Sequence, residues 1–457
     1  MTAPARLVIS GCAIATMDER GTEHPSGHVV VEGNHIAGVG AGPPPETAGG
    51  DDIVRIDATG CLATPGLVNC HHHLYQWLTR GMAQDANLFD WLTTLYPVWA
   101  HVDADMEAAA ARAGLAALAA SGCSTTTDHH YVFPRHGGPL LEASIAEAAE
   151  VGLRFHPCRG SMDLGRSSGG LPPDAIVEPI DAILSATAAV VDEFHDGSSE
   201  SMLRVAVGPC SPFSATGDLM RASAEFARDA DVRMHTHLAE TAEENEYCSE
   251  RFGMRPVEYL EDLGWLGDDV WLAHCVHLSP EEVARFGATD TGVAHCPSSN
   301  ARLGAGIAPV AALVAAGAPV GLGVDGAASN ESGELGPEVK GALHLARLRA
   351  GASALSARAA LALATRGGAR CLGRSAEIGS LEPGKLADVA VWGLEGLGRA
   401  GIQDPVAALA LGGWQRVRHL VVNGAHVVED GIVRTVDERS AAEGLVKAGR
   451  RLAEAAT

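Results

Sequence analysis

The stretch "LATPGLVNCHHH", residues 62–73, decides the fold, because its apolar strand pattern ends abruptly in three consecutive histidines. Further segments repeat this arrangement of a short apolar run with polar or reactive residues at its end, at 122–130, 153–160, 204–211, 232–237, 270–275, 292–297 and 319–326. Helical patterns such as "PLLEASIAEAAEVG" separate them. Strand–helix alternation favours a parallel sheet, and eight such units over roughly 310 residues fit a (β/α)8 barrel.

The reactive residues lie at the carboxyl ends of these predicted strands. In a (β/α)8 barrel that end carries the active site, and side chains from strands far apart in the sequence meet there. A doubly wound open sheet is the alternative, but it would bind ligands near one switch point of the strand order. Because the reactive residues come from strands spread along the chain, we expect a barrel.

The two ends of the chain differ from its middle, since they consist of short strands with Gly-rich turns. "GHVVVEGNHIAGVG" is typical of the first end and "VRHLVVNGAHVVEDGIVRTV" of the second. Neither end has enough strands for a core of its own. We therefore predict an α/β fold in which residues 1–61 and 376–457 form one small β-sandwich beside a TIM-like catalytic barrel of residues 62–375.

Composition and charge narrow the classes of function. The 457 residues are 46% hydrophobic and 20% charged, as in globular proteins. The formal net charge is −24 and no run of Lys or Arg occurs, so we expect neither nucleic acid nor a membrane as a partner. No apolar run approaches the ~20 residues that span a bilayer. The ten cysteines form no CxxC pair, which predicts reduced thiols and a cytoplasmic protein.

The histidine triplet predicts a metal site. Residues two apart on a strand point to the same side, so His71 and His73 can share a metal ion while His72 faces elsewhere. Imidazole nitrogen is a common ligand of Zn²⁺. Taken alone, the pair also fits two solvated or core histidines.

A second motif, "HTHLAE", predicts the groups that activate water. His237 ends the fifth strand and Glu240 follows three residues later. A metal ion lowers the pKa of bound water toward ~7, and a glutamate outside the ligand set can move its proton. His235, on the same face as His237 but deeper in the strand, is expected to be a packed polar residue of the barrel.

Two later strands offer further groups. His274 ends the sixth strand and is either another ligand or an acid that polarises the substrate. Asp325 ends the eighth strand within "GLGVDGAASN" and can complete the metal site. A lone Asp after a strand is usually a helix N-cap, but three barrel histidines favour the ligand role here.

Together these motifs resemble the amidohydrolase superfamily, in particular its mononuclear-metal deaminases and triazine hydrolases. The resemblance spans the chain, from "ATPGLVNCHHH" through "HTHLAET", "LAHCVHL", "CPSSNARLGAGIAP" and "GLGVDGAASN" to "GSLEPGKLADVAVW". It implies one divalent metal ion per subunit, zinc or else iron, and a homo-oligomer. It implies the metal ligands His71, His73, His237 and Asp325, with Glu240, His274 and Asp325 as the catalytic residues.

The same resemblance also implies the type of reaction that the protein catalyses. "HHHLYQWLTRG", "TTTDHHYVFP" and "RGSMDLG" are similar to segments of 8-oxoguanine deaminases and hydroxydechloroatrazine ethylaminohydrolases. This implies hydrolytic removal of an amino group from a purine-like or pyrimidine-like ring, with 8-oxoguanine giving uric acid and ammonia. The amide of Gln76 offers a donor and an acceptor for the edge of such a ring. Cys210 and Asn300 are further candidates for substrate contacts.

Three alternatives stay open. A hydroxylated s-triazine, guanine or isocytosine would present a similar ring. A catalytically silent metal-binding homologue would have no need of Glu240. Editing of a flipped base in nucleic acid would require a basic channel, against which the net charge of −24 argues.

Overall fold

The computed structural model describes residues 4–45 and 53–457, so residues 1–3 and 46–52 of the predicted second domain lie outside the described residues. The strands of the described chain are β1 Arg6–Ala15, β2 Glu23–Glu32, β3 His35–Ala41, β4 Ile53–Asp57, β5 Cys61–Pro65, β6 Leu67–Asn69, β7 His72–His73, β8 Cys123–His130, β9 Arg154–Ser161, β10 Ala206–Pro209, β11 Met234–Leu238, β12 Val270–His274, β13 Gly292–His295, β14 Val320–Leu322, β15 Asp325–Gly326, β16 Val389–Gly393, β17 His419–Val422, β18 Ala425–Glu429 and β19 Ile432–Val433.

The α-helices of the same residues are α1 Leu88–Trp99, α2 Ala104–Ala120, α3 Leu140–Val151, α4 Ile180–Phe194, α5 Gly217–Asp229, α6 Ala242–Phe252, α7 Pro256–Asp262, α8 Pro280–Thr289, α9 Pro297–Arg302, α10 Val310–Ala315, α11 Leu335–Ala350, α12 Ala357–Ala362, α13 Gly368–Cys371, α14 Pro405–Leu411 and α15 Glu438–Ala455. A 3-10 helix, Leu74–Thr79, follows β7 directly. Within the described chain, no helix has both the length and the apolar character needed to cross a membrane.

Eight parallel strands close into the predicted barrel. Their order around it is β6, β8, β9, β10, β11, β12, β13 and β14, and β14 pairs back with β6 where Leu322 lies opposite Asn69. Beyond the barrel, β7 and β15 pair in parallel with His72 opposite Asp325. They follow β6 and β14 in the chain, so the ends of the first and eighth strands remain side by side above the barrel.

Helix α2 shows how the outer layer forms. Its sequence is rich in Ala, the strongest helix former. The helix begins after Asp103, whose side chain accepts a hydrogen bond from the backbone N–H of Met106 at 3.0 Å, as is common for an N-cap. The helix packs against α3 and α15 and contacts β8, so it covers the second barrel strand.

Strands from both ends of the chain build the small second domain, as predicted. They join in one mixed sheet in the order β19, β18, β17, β16, β5, β1, β2 and β3, with β4 paired to β1. The two ends meet where β5 pairs antiparallel with β16. The predicted boundary at residue 62 falls within β5, so we propose that this boundary lies after Pro65; the boundary between residues 375 and 376 stays a prediction.

The sheet domain packs at the amino end of the barrel. Trp392 of β16 is fully buried and donates its Nε1–H to Oγ1 of Thr64 at 2.8 Å. Gly122, just before β8, has φ +83°, and a Cβ there would lie 2.1 Å from the Trp392 ring. Only glycine allows this close approach. The carboxyl end of the barrel, where the reactive side chains lie, therefore faces away from this contact.

Candidate metal centre

Four predicted ligand residues come together at the carboxyl end of the barrel. Nε2 of His71 and Nε2 of His73 each lie 3.3 Å from Oδ1 of Asp325. Nε2 of His73 also lies 3.2 Å from Nε2 of His237. All four side chains are buried. The pairing of β7 with β15 explains why residues more than 250 positions apart in sequence lie side by side.

Backbone carbonyls fix the orientation of two of these rings. Nδ1 of His73 lies 2.7 Å from the carbonyl oxygen of His129, and Nδ1 of His237 lies 2.6 Å from that of Cys210. A carbonyl oxygen can only accept, so each Nδ1 carries the proton and each Nε2 carries a lone pair. Two lone pairs that face each other at 3.2 Å repel each other, and a cation between them would remove this repulsion.

His71 is oriented by a second histidine. Nδ1 of His235 donates to the carbonyl oxygen of Trp271 at 2.7 Å, so its Nε2 accepts from Nδ1 of His71, also at 2.7 Å. The Nε2 of His71 therefore carries a lone pair, and no hydrogen-bond partner for it exists among the described residues. His235 is packed in the barrel as expected, and it also sets the tautomer of His71. Three such imidazoles and a carboxylate fit one divalent metal ion.

His72 faces away from the centre, in keeping with strand alternation. Its Nδ1 donates to the carbonyl oxygen of Asp325 at 2.5 Å, and its Nε2 accepts from Nε1 of Trp77 at 3.2 Å. The middle histidine thus ties the first strand to the eighth.

Asp325 is held by its surroundings in an uncommon conformation. Its φ is +60°, in the left-handed region that few non-glycine residues adopt. Its Oδ2 accepts hydrogen bonds from Oγ of Ser299 at 2.5 Å and from Oγ of Ser329 at 3.2 Å. Its Oδ1 accepts from the backbone N–H of Gly326 at 2.7 Å and faces the histidines.

Glu240 and His274 lie beside this cluster. Nε2 of His274 is 3.7 Å from Oε2 of Glu240 and 3.9 Å from Oδ2 of Asp325. Burial, together with the charge of Asp325, raises the pKa of Glu240 to about 7, although His274 opposes this. Burial lowers the pKa of His274, but the two carboxylates outweigh it and raise that pKa above its usual value. Glu240 is therefore suited to take up and release a proton near neutral pH.

The residue that holds Glu240 in place is Glu244, which no sequence motif indicated. The carboxylate of Glu244, on α6, accepts the backbone N–H groups of Ala239 at 2.8 Å and Glu240 at 3.0 Å. Ala239 has φ +48°, so the chain turns sharply after β11. These two hydrogen bonds stabilise that turn and fix where the Glu240 side chain begins.

A small cavity opens onto the cluster. Gln76 and Cys210, two predicted substrate contacts, line it. Burial raises the pKa of Cys210 to about 11, so its thiol is neutral. Asn300 is not among the lining residues; it lies behind His274, whose Nδ1 donates to its Oδ1 at 2.9 Å. This contact suits Asn300 to orient His274, and its role as a substrate contact stays a prediction.

Several residues that line the cavity were not among the predicted site residues. The cavity walls include Leu88, Trp91, Leu92, Tyr96, Tyr131, Phe213 and Leu303. Trp91 and Tyr96 lie on α1, outside the strand ends, and an aromatic stripe on a helix is usually core. His129 is the last residue but one of the second barrel strand, so the rule applied to the other strands could have found it. A ring nitrogen of His129 lies within 4.8 Å of those of His71, His73 and His237.

The model of the amidohydrolase family matches residues 62–427. The chain belongs to the amidohydrolase family. The 8-oxoguanine deaminase of Pseudomonas aeruginosa is 44% identical over 95% of this chain and 98% of its own length. The hydroxydechloroatrazine ethylaminohydrolase of Pseudomonas sp. strain ADP is 36% identical over 95% of this chain and 93% of its own length. These relatives confirm the family resemblance and the prediction of a hydrolase of carbon–nitrogen bonds.

Solved structures of this amidohydrolase fold agree with the barrel described above. A variant of an atrazine chlorohydrolase from Arthrobacter aurescens, complexed with zinc and atraton, has a TM-score of 0.92 and 33% identity. The match covers 97% of this chain and all of that one. A metal is thus bound within the family, and the cluster of His71, His73, His237 and Asp325 fits one.

Proposed function

We propose that this amidohydrolase is a zinc-dependent deaminase that converts 8-oxoguanine and water to uric acid and ammonia. One observation carries the proposal: a buried cluster of three imidazole lone pairs and a carboxylate adjoins Glu240, whose pKa is about 7. A metal site next to a group that can accept a proton from water is what a hydrolytic deaminase requires. The identity of 44% with an 8-oxoguanine deaminase over nearly the full length of both chains supports the choice of substrate.

The reaction replaces a ring C–NH₂ group by a ring C=O group. A divalent ion bound by His71, His73, His237 and Asp325 would lower the pKa of water enough to supply the nucleophile near pH 7. The water oxygen forms a bond to the amino-bearing carbon, and the carbon–nitrogen bond then breaks. Of the two water protons, one ends on the adjacent ring nitrogen and the other leaves with the amine as ammonia.

The residues beside the cluster move these protons. Glu240 takes a proton from water and delivers it to the ring nitrogen. Because its pKa is about 7, the carboxyl group can both accept and release this proton near neutral pH. His274, whose Nδ1–H is held by Asn300, directs its Nε2 between Glu240 and Asp325. It can therefore orient the attacking oxygen between the two carboxylates.

The cavity suits a flat ring without negative charge. Trp91, Tyr96 and Phe213 offer aromatic surface, and no Lys or Arg occurs among the described residues that line it. A phosphate ester would find no Lys or Arg side chain to pair with there. Oε1 of Gln76 is buried without a hydrogen-bond partner in the described chain, so it can accept a ring N–H. These features favour a free base.

A substrate panel tests the proposal. We expect the zinc-loaded protein to release ammonia from 8-oxoguanine, with uric acid as product, at a higher kcat/KM than from guanine, isocytosine or a hydroxylated s-triazine. A higher kcat/KM on one of these would replace 8-oxoguanine as the substrate and leave the class of reaction intact. Absence of turnover on all of them would favour the silent homologue. The homo-oligomer and the cytoplasmic location stay predictions.

Two variants test the role of Glu240. Glu240→Gln should keep the metal and lose roughly 10²- to 10⁴-fold in kcat, the range for general acid–base groups. Glu246→Gln, on the exposed side of α6, is the matched control and should retain full activity. Full activity of a metal-loaded Glu240→Gln protein would contradict the assignment.

A further inference from the structure

A second cluster of ligand-type side chains lies behind strand β8, outside the catalytic cavity. Asp128 and His130 are two apart on β8, so they share the face opposite to His129 and point toward α2. Glu107 of α2 meets them there. One ligand atom from each of Glu107, Asp128 and His130 lies within 4.8 Å of the others, and all three residues are completely buried.

The cluster consists of acceptors. Oδ1 of Asp128 accepts the backbone N–H of Leu74 at 2.8 Å, but no donor within the described part of the chain contacts its Oδ2 or either carboxylate oxygen of Glu107. Nε2 of His130 lies 3.0 Å from the carbonyl oxygen of Val132, which can only accept. In the neutral ring, Nδ1 of His130 therefore carries a lone pair that faces Glu107. Buried acceptors so arranged require positive charge between them.

The spacing of these atoms matches that of metal ligands. Nδ1 of His130 lies 3.6 Å from Oε1 of Glu107, whereas a charge-assisted hydrogen bond would measure ~2.7–2.9 Å. Two ligands ~2.1 Å from a tetrahedral ion lie roughly 3.4 Å apart. At the catalytic centre the corresponding distances are 3.2 Å and 3.3 Å. The spacing of His130 and Glu107 is thus close to that of ligand pairs in the first cluster.

We propose that Glu107, Asp128 and His130 hold a structural divalent cation of the first transition series. One imidazole nitrogen and two carboxylates suit Zn²⁺ or Mn²⁺, and the double positive charge neutralises the two buried carboxylates. The hydrogen bond from Nε2 of His130 to a carbonyl is the outer contact that metal-ligating histidines usually make.

The proposed ion would fix the segment that begins the active site. Asp128 accepts the N–H of Leu74, which directly follows the ligand His73 and precedes Gln76 by two residues. An ion on Oδ2 of Asp128 therefore anchors that segment to both β8 and α2. This inference does not depend on the identity of the substrate.

Protons are the competing occupant of the cluster. Burial and the charge of Glu107 raise the pKa of Asp128 to about 7. Burial lowers the pKa of His130, but Glu107 outweighs it and raises that pKa overall. A protonated Asp128 and a protonated His130 would therefore also balance the charge without any metal.

Metal content and anomalous diffraction distinguish a bound metal ion from protons as the occupant of the cluster. For the full-length protein crystallised after loading with Zn²⁺, we expect two ions per chain and an anomalous peak within ligand distance of Glu107, Asp128 and His130. A parallel sample loaded with Mn²⁺ tests the other candidate ion. A single peak at the catalytic centre in both samples would overturn the proposal. This readout needs no variant, so it holds even if substitutions in the cluster prevent folding.

Variants then assign the ligands. Glu107→Gln should reduce the zinc content from two ions to one, with the catalytic ion retained. Glu147→Gln is the matched control, because Glu147 pairs with Arg112 of α2 at 2.6 Å outside the cluster, and it should keep both ions. A folded Glu107→Gln protein that still binds two ions would overturn the proposal.

Discussion

Removing one hydroxyl next to the catalytic centre should weaken metal binding measurably. Ser299, on α9, is buried and donates its Oγ–H to Oδ2 of Asp325 at 2.5 Å. Ser299→Ala removes this donor and leaves only Ser329, at 3.2 Å, on the same oxygen. We expect Asp325 to be less well oriented toward His71 and His73, and the affinity for Zn²⁺ to fall.

The size of the effect follows from the hydrogen bond. A hydrogen bond to a charged group contributes ~1.5–3 kcal/mol, and roughly 1.4 kcal/mol corresponds to a factor of ten in affinity. Loss of a partner of a metal-ligating side chain typically costs ~10- to 100-fold in metal affinity. Because Ser329 also contacts Oδ2 and can partly replace the lost donor, we expect a loss near the lower limit, about tenfold.

The assay is competition for Zn²⁺ between the protein and a chromophoric chelator at constant pH. Ser298→Ala is the matched control, because the neighbouring Oγ donates to Glu338 instead of Asp325. It should leave the Kd for Zn²⁺ unchanged. The reasoning is refuted if Ser299→Ala binds Zn²⁺ within twofold of the unmodified protein, or if both variants lose affinity equally.

Three further predictions concern the cavity, the pH dependence of stability and the turn before α6. In Gly326→Ala the new Cβ would lie 1.7 Å from Oε1 of Gln76 and would displace that side chain. The KM for 8-oxoguanine should therefore rise about tenfold, which corresponds to the loss of one hydrogen bond, while the metal content stays the same. An unchanged KM would argue against a substrate contact by Gln76. Burial raises the pKa of Glu338 to about 7 from the ordinary 4.5, so the folded protein keeps a proton that the unfolded chain loses. Its contribution to the free energy of unfolding therefore falls by roughly 3 kcal/mol as the pH rises through this window, and urea unfolding of Glu338→Gln should lack that slope. Glu244→Gln replaces one of the two acceptor oxygens with a donor beside the N–H of Glu240. The kcat should therefore fall about tenfold, while KM and metal content are retained. An unchanged kcat would show that the turn before α6 holds without this contact.

Much of the barrel follows from local pattern. Each of the eight predicted segments contains a strand of the barrel, because buried parallel strands are short apolar runs and helices separate them. Alternation along a strand separated His71 and His73 from His72 before any contact was known. The ends of the chain were less well determined, since the boundary at residue 62 depends on whether β5 pairs with β16 or with the barrel.

By itself, then, the sequence determined the strands, the side on which each strand-end residue points, and the ligand types available at the barrel end. Tertiary structure alone decided which of them meet and what holds them. Asn300 contacts His274 instead of the cavity, and His235 sets the tautomer of His71. Trp91 reaches the cavity because α1 packs over the barrel end, where its Nε1 donates to the carbonyl of Ala328. The reason is physical: local periodicity fixes the direction of a side chain, but its partner lies up to hundreds of residues away and is set by barrel closure and helix packing.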